Sequence, residues 1–298
     1  MKPPSALHGV LVVDKPTGMS SHDVVAEARR WLGTREVGHA GTLDPMATGV
    51  LVLMVGEACK LSGYLTFADK RYRARVQFGS STDSLDADGQ VTEKVELGNG
   101  WLHPGSLQAA LDAELQRSSQ VPPVISAIQQ GGERAYRKAR RGEVVELAAR
   151  AVRLLDLQVL GQDDQHLDVE LGVSKGYYVR AFARDLGLAL GVPAHLSALR
   201  RLASGGFTLE GAAMCPLHGP PRLIPLEEAA RRTLPITELT PAAVPLARQG
   251  KRLEATAANP QAFDQVSAWL APDGLLVALG TSSPEGLHRV VRGFSYTE

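Results

Sequence analysis

Cysteine is scarce: Cys59 and Cys215 are the two in 298 residues. They form neither a CxxC pair nor a ligand cluster, which argues against a disulfide framework or a structural zinc site and fits a reducing compartment. No apolar run approaches the roughly 18 residues that a membrane helix needs. The opening Met1-Lys2-Pro3-Pro4 lacks the apolar core of a signal peptide, so the expectation is a cytoplasmic protein with no membrane contact. A dinucleotide-type glycine motif and a GxxxxGK phosphate loop are also missing. Net charge is absent too, with 32 basic and 32 acidic side chains, which argues against indiscriminate gripping of nucleic acid but leaves local patches open.

The length accommodates one large domain plus a small one, and an apolar content of 44% is ample for a core. Gly9 to Asp14 reads as a buried strand followed by a Lys15-Pro16-Thr17-Gly18 turn. Ser20 or Ser21 caps a helix with Val24, Val25, Ala28, Trp31 and Leu32 on one face and Gly33 as its stop. Residues 50–56 form a strand. Tyr72 to Phe78 alternates, with Arg73, Arg75 and Gln77 giving a basic outer face. A helix starts near Pro104 and runs through Leu107, Leu111 and Leu115. Leu167 to Val173 alternates again, and Phe182, Leu186 and Leu190 mark a helix closed by Gly191 and Pro193. Strands interrupted by isolated helices indicate an α+β fold with a mainly antiparallel sheet. Seven of the 18 prolines fall between 216 and 245, a candidate boundary, and short strand-like runs follow at 275–279 and 288–291.

Chemistry concentrates in the run from Gly38 to Gly49. It sets the carboxylate of Asp44 in a bed of glycine and proline, just ahead of the apolar strand. Pro45 fixes its own φ and pushes Asp44 out of the helical region. On residue chemistry alone, an ordinary Asp-Pro turn is the stronger reading and a placed catalytic acid the alternative. Two basic clusters stand apart from it. Lys70, Arg71, Arg73 and Arg75 form one; residues 126–155 carry seven basic side chains against three acids. Solvated faces and phosphate contacts are both open to them. The acidic stretch from Asp83 to Gly89 is an acidic turn rather than a calcium loop, because Val95 falls where a twelfth-position acid is required.

The run Gly38-His39-Ala40-Gly41-Thr42-Leu43-Asp44-Pro45-Met46-Ala47-Thr48-Gly49 resembles the catalytic signature of tRNA pseudouridine synthases of the TruB type. Three further stretches resemble that family in its own order: His8 to Ser21, Asp69 to Gly89, and Ser174 to Arg180 with Leu199-Arg200-Arg201 downstream. Together the matches run from about residue 8 to about residue 212.

The resemblance implies a pseudouridine synthase catalytic domain over 1–235, an RNA-gripping insertion at 121–150, and a small PUA-like β-barrel RNA-binding domain over 236–298. It implies isomerisation of uridine 55 in the tRNA T-loop by base flipping, without metal or cofactor. A monomer with no obligate protein partner is expected, with an accessory tRNA-folding role. Among site residues, it implies that Asp44 is the catalytic aspartate, Arg180 its partner, and Tyr72 a stacking ring whose hydroxyl can help remove the C5 proton. His39 fills or steers the RNA stack; Asp86 and Tyr178 lie near the bound nucleotide; Leu199 meets the uracil face. Lys15 supports the site or binds phosphate. Arg71, Arg73, Arg137, Lys138, Arg140 and Arg141 are expected to contact RNA. The family's Tyr-Ser-Ala-Leu-Lys is replaced here by Ile125-Ser126-Ala127-Ile128-Gln129, which removes an aromatic and a cation from the RNA grip. Two other readings compete: an RNA-binding or folding-assistance protein with an incidental carboxylate, and a glycosidase, which would need a second flanking carboxyl.

Overall fold

The computed structural model describes residues 7–126, 129–130, 133–134, 141, 147–260 and 263–295. Its framework starts from two apolar strands, Gly9–Lys15 and Thr48–Val55, paired antiparallel. Successive side chains of a strand point to opposite faces. Leu11, Val13, Leu51, Leu53 and Val55 therefore enter one core, while Val10, Val12, Val50, Val52 and Met54 enter another. A sheet covered on both sides needs continuous apolar strands rather than alternating ones, and these two segments are continuous.

Around this pair the main sheet runs Leu154–Gln162, His166–Val173, Lys70–Phe78, Ala194–Ser204, Thr48–Val55, Gly9–Lys15, Ala213–Met214. Two pairings are parallel, Ala194–Ser204 on Thr48–Val55 and Ala213–Met214 on Gly9–Lys15; the others along this order are antiparallel. The α+β reading with a mainly antiparallel mixed sheet is thus what the chain adopts. The Ser21–Trp31 helix begins with a reciprocal cap: Asp23 N donates to Ser20 Oγ at 3.2 Å and Ser20 N to the Asp23 carboxylate at 2.8 Å. The Val179–Leu190 helix ends on Gly191 at φ +73° and packs against both the Pro104–Gln116 helix and the sheet.

The 11-residue strand Ala194–Ser204 is absent from the pattern-based reading, yet it occupies the middle of the sheet. Irregular register between Leu196 and Ala198 and between Arg201 and Ala203 breaks its alternation, and Arg200-Arg201 disguises it as surface. Its close approach to residue 49 is permitted because glycine has no Cβ there, which would otherwise collide with the Arg201 carbonyl oxygen.

From Ile236 a second sheet forms in the order Ala258–Pro260, Ile236–Leu239, Val266–Leu270, Leu276–Ser282, His288–Gly293. It is an open five-stranded sheet among the described residues, not the closed barrel that a PUA-like tail led us to expect. Its inner residues Ile236, Ala268, Leu270, Leu276 and Leu279 share one core with Val10, Val12, Val50 and Val52 of the main sheet. Among the described residues no helix is long and apolar enough to cross a membrane.

Candidate active site

The loop carrying Asp44 is fixed from three directions before any ligand is considered. Lys15, at the end of the first strand, is fully buried and donates to the carbonyls of Pro16 (2.8 Å), Met19 (2.7 Å) and Pro45 (3.2 Å). Ser21, in the first turn of its helix, accepts from Leu43 N at 2.8 Å. Arg201, buried in the central strand, donates to Val50 O at 2.6 Å, Gly41 O at 3.1 Å and Thr42 O at 3.5 Å. Gly41, at φ +91°, supplies the left-handed turn that presents those carbonyls.

Asp44 then meets Arg180 on the opening turn of its helix. Arg180 Nη2 lies 3.1 Å from Asp44 Oδ1 and Nε 3.0 Å from Oδ2, a two-pronged contact. The same guanidinium donates to Ser84 O at 2.8 Å and stands 3.2 Å from the carboxylate of Asp86. Asp86 is itself held by Ser84 Oγ at 2.5 Å and by Asp88 N at 3.1 Å. Burial pushes the Asp44 carboxyl above the usual aspartate range; Arg180 opposes that rise, while Asp86 and Asp88 add to it.

A pocket of about 300 Å³ opens beside this pair, lined among others by Asp44, Tyr72, Tyr178, Leu199, Lys70 and Arg201. That volume sits at the small end of ligand sites and accepts a single flat ring with its sugar. Tyr72 and Leu199 are both largely buried, with apolar surface turned to the pocket, and Tyr178 is half-buried with its hydroxyl pushed up by desolvation. A phenol ring, an aliphatic side chain and one ion-paired carboxylate thus surround a small, partly enclosed space.

The structure sorts the other expected residues differently. Lys15 is sealed from solvent and spent on carbonyls, one of them the carbonyl of Pro45 next to Asp44. Asp86 is buried behind Arg180 and orients it. Arg71 and Arg73 project to the opposite face of the strand from Tyr72, where they meet Glu170 and, for Arg71, Asp156. With Arg75 bound to Asp168, the expected basic face is a ladder of opposite charges. His39 does not line the pocket; its ring packs edge-on against His22 at 5.4 Å, and burial lowers its pKa. Arg141 is exposed in a turn, and Arg137, Lys138 and Arg140 lie outside the described residues. Sequence reasoning gave Lys70 only a place in a phosphate-contacting basic cluster and Ser21 only a possible helix cap, and it assigned no role to Arg201. The signal for Arg201 was present in Leu199-Arg200-Arg201: on a strand, neighbouring arginines must face opposite ways, so one of them points inward.

A family model for the N-terminal domain of TruB family pseudouridylate synthases matches residues 29–179, and one for the tRNA pseudouridylate synthase B C-terminal domain matches residues 180–219. The chain belongs to the TruB family of pseudouridylate synthases. It is 46% identical over 290 residues to tRNA pseudouridine synthase B of Mycobacterium sp. (strain KMS), covering 95% of each chain. It is 48% identical over 280 residues to the protein of the same name from Nocardia farcinica (strain IFM 10152), covering 92% of this chain and 89% of that one. Its fold is similar to a chain in the crystal structure of a Cbf5–Nop10–Gar1 complex, with a TM-score of 0.75, 24% identity, and coverage of 98% of this chain and 85% of that chain. The pocket lies within the matched TruB segments, and Asp44, Tyr72, Tyr178, Arg180 and Leu199 all fall inside them.

Proposed function

We propose that this TruB family chain converts uridine 55 in the T-loop of tRNA to pseudouridine, acting alone on an extruded base. The observation that carries the proposal is the Asp44–Arg180 fork at the mouth of a pocket walled by Tyr72 and Leu199. The isomerisation breaks N1–C1′, turns the base and joins C5 to C1′; C5 gives up its proton and N1 gains one. No electrons are exchanged. Asp44 faces the sugar, where attack at C1′, attack at C6 and assisted elimination are all open to a carboxylate. Arg180 opposes the rise of its pKa and so favours the ionised form, while Asp86 and Ser84 stop the guanidinium from swinging away. Tyr72 and Leu199 sandwich the detached ring while it turns.

Drawing a stacked base from a folded RNA costs a few kcal/mol, offset by stacking and backbone contacts. Lys175 supports such contacts: it is exposed at the rim, with its ammonium 4.5 Å from the Phe67 ring centroid and no carboxylate bonded to it among the described residues. Division into a catalytic part over 1–235 and an RNA-binding, PUA-like part over 236–298 belongs to the same proposal, with the basic 121–150 segment gripping the T-stem. The test is mass-spectrometric mapping of a T-loop transcript incubated with pure protein and no additive. Pseudouridine at position 55 is expected with the natural chain and none with Asp44→Asn; an unmodified transcript from the natural chain overturns the proposal.

A further inference from the structure

Two cations line the pocket with no carboxylate bonded to either among the described residues. Arg201 is buried, with three of its five N–H groups donated to main-chain carbonyls. Lys70 donates to Thr66 O at 2.6 Å and Ala68 O at 2.5 Å. An ammonium has three N–H donors, so one of them has no protein acceptor among the described residues. The two side chains flank Gly41: the space above its Cα lies 3.6 Å from Arg201 Nη1 and 3.9 Å from Lys70 Cε. Placing like charges together at a half-buried wall is unfavourable unless something negative arrives there.

The proposed isomerisation supplies that negative charge. When N1–C1′ breaks, the electron pair stays on N1 and spreads over the two carbonyl oxygens of the uracil ring. Arg180 is already committed to Asp44, Asp86 and Ser84, so it has little left for the departing base. Resting on that reading of the site, we infer that Lys70, backed by Arg201, is a catalytic residue whose free N–H binds the negatively charged uracil as the glycosidic bond breaks. No proton leaves Lys70 in this step. The charge disappears when C5 bonds to C1′ and the C5 proton is lost, with N1 protonated in the product.

Burial and Arg201 lower the Lys70 pKa to about 8, with Asp69 pulling weakly the other way. The remaining charged or titratable groups on the pocket wall are Asp44, Arg180, Tyr177 and Tyr178, together with Tyr72. As pH rises through that value Lys70 loses its cation, so kcat/KM of the natural chain falls above pH about 8. In Lys70→Arg the cation persists and this alkaline limb moves beyond pH 10. A limb caused by Lys15, which burial also lowers but which faces carbonyls, would stay where it was.

The experiment measures single-turnover rate at saturating enzyme, affinity for the T-loop RNA by filter binding, and the pH profile. Lys70→Met is expected to slow the rate about 100-fold, the range for losing one preorganised donor, with Kd within threefold. Lys70→Arg is expected to restore at least tenfold of that loss. A Lys70→Met rate within threefold of the natural chain overturns the inference. So does a loss confined to Kd, which would make Lys70 a phosphate ligand. If Lys70→Met does not fold, the natural chain and Lys70→Arg decide: an alkaline limb that is absent, or unmoved by arginine, overturns it. A natural chain that forms no pseudouridine fails the isomerase reading itself, which is a separate result.

Discussion

On the outer face of the Lys70–Phe78 strand, Arg71, Arg73 and Arg75 each meet a carboxylate from a neighbouring strand. Around the pocket, Lys15, Lys70 and Arg201 are held by main-chain carbonyls, and Arg180 alone among these cations is bonded to acids. Both arrangements immobilise a cation, but with different consequences. Carboxylates cancel the charge, leaving the outer face electrically quiet. Carbonyls fix the position and leave the field in place, and that field is directed at a space where charge must develop.

The largest effect that could break this contrast lies at Asp44. Asp44→Asn is expected to lower turnover at least about a thousandfold with tRNA affinity within a few-fold, read by single-turnover and filter-binding assays. Its carboxyl is raised in the folded chain, so the folded state holds its proton to higher pH than the unfolded one. Stability from this group therefore declines as pH rises through that window, and Asp44→Asn should melt no lower than the natural chain at neutral pH.

Arg180→Lys comes next. Losing the fork should cost about 100-fold in rate. It keeps a cation but loosens the main contact holding the Asp44 carboxyl down, so the acid limb of the pH–rate profile moves slightly upward; a limb that moved down would separate Asp44 from Arg180. Arg201→Met should destabilise the chain by about 3 kcal/mol in denaturant titration, because three inward carbonyls lose their donor. The smallest effect belongs to the outer ladder: Arg75→Ala should cost about 0.5 kcal/mol and leave turnover unchanged. A large loss of activity there would erase the distinction between the two faces.

Most of the frame was legible in the residues. The apolar runs read at 9–14 and 50–56 fall within a residue or two of the observed strands, and the cap at Ser20 or Ser21 and the Gly33 and Gly191 stops also read directly, because each reflects a local rule. The Asp44–Arg180 pairing came from family motifs 136 positions apart, since nothing local links two such distant residues. What stayed hidden depended on which way a side chain turns or on long-range packing. Alternation already put Arg73 and Arg75 on an outer face, but the carboxylates of Asp156, Asp168 and Glu170 that meet the arginines there come from distant strands and left no local trace. Strand Leu154–Gln162 is almost wholly exposed along an edge and carries little pattern to read. Lys15 and Arg201 look like surface cations until the carbonyls that capture them are in view.

The apolar core shared by the two sheets sets a limit on dissection of the molecule. Cutting the chain ahead of Ile236 would take Ile236, Ala268, Leu270, Leu276 and Leu279 out of the core that Val10, Val12, Val50 and Val52 share with Leu226, Ala229 and Ala230, and so thin the packing on one side of the strands that bracket the Asp44 loop. The carboxylate's alignment therefore draws on a segment that never touches the pocket. A minimal chain made by trimming the tail would lose part of that packing even though the pocket residues were all retained.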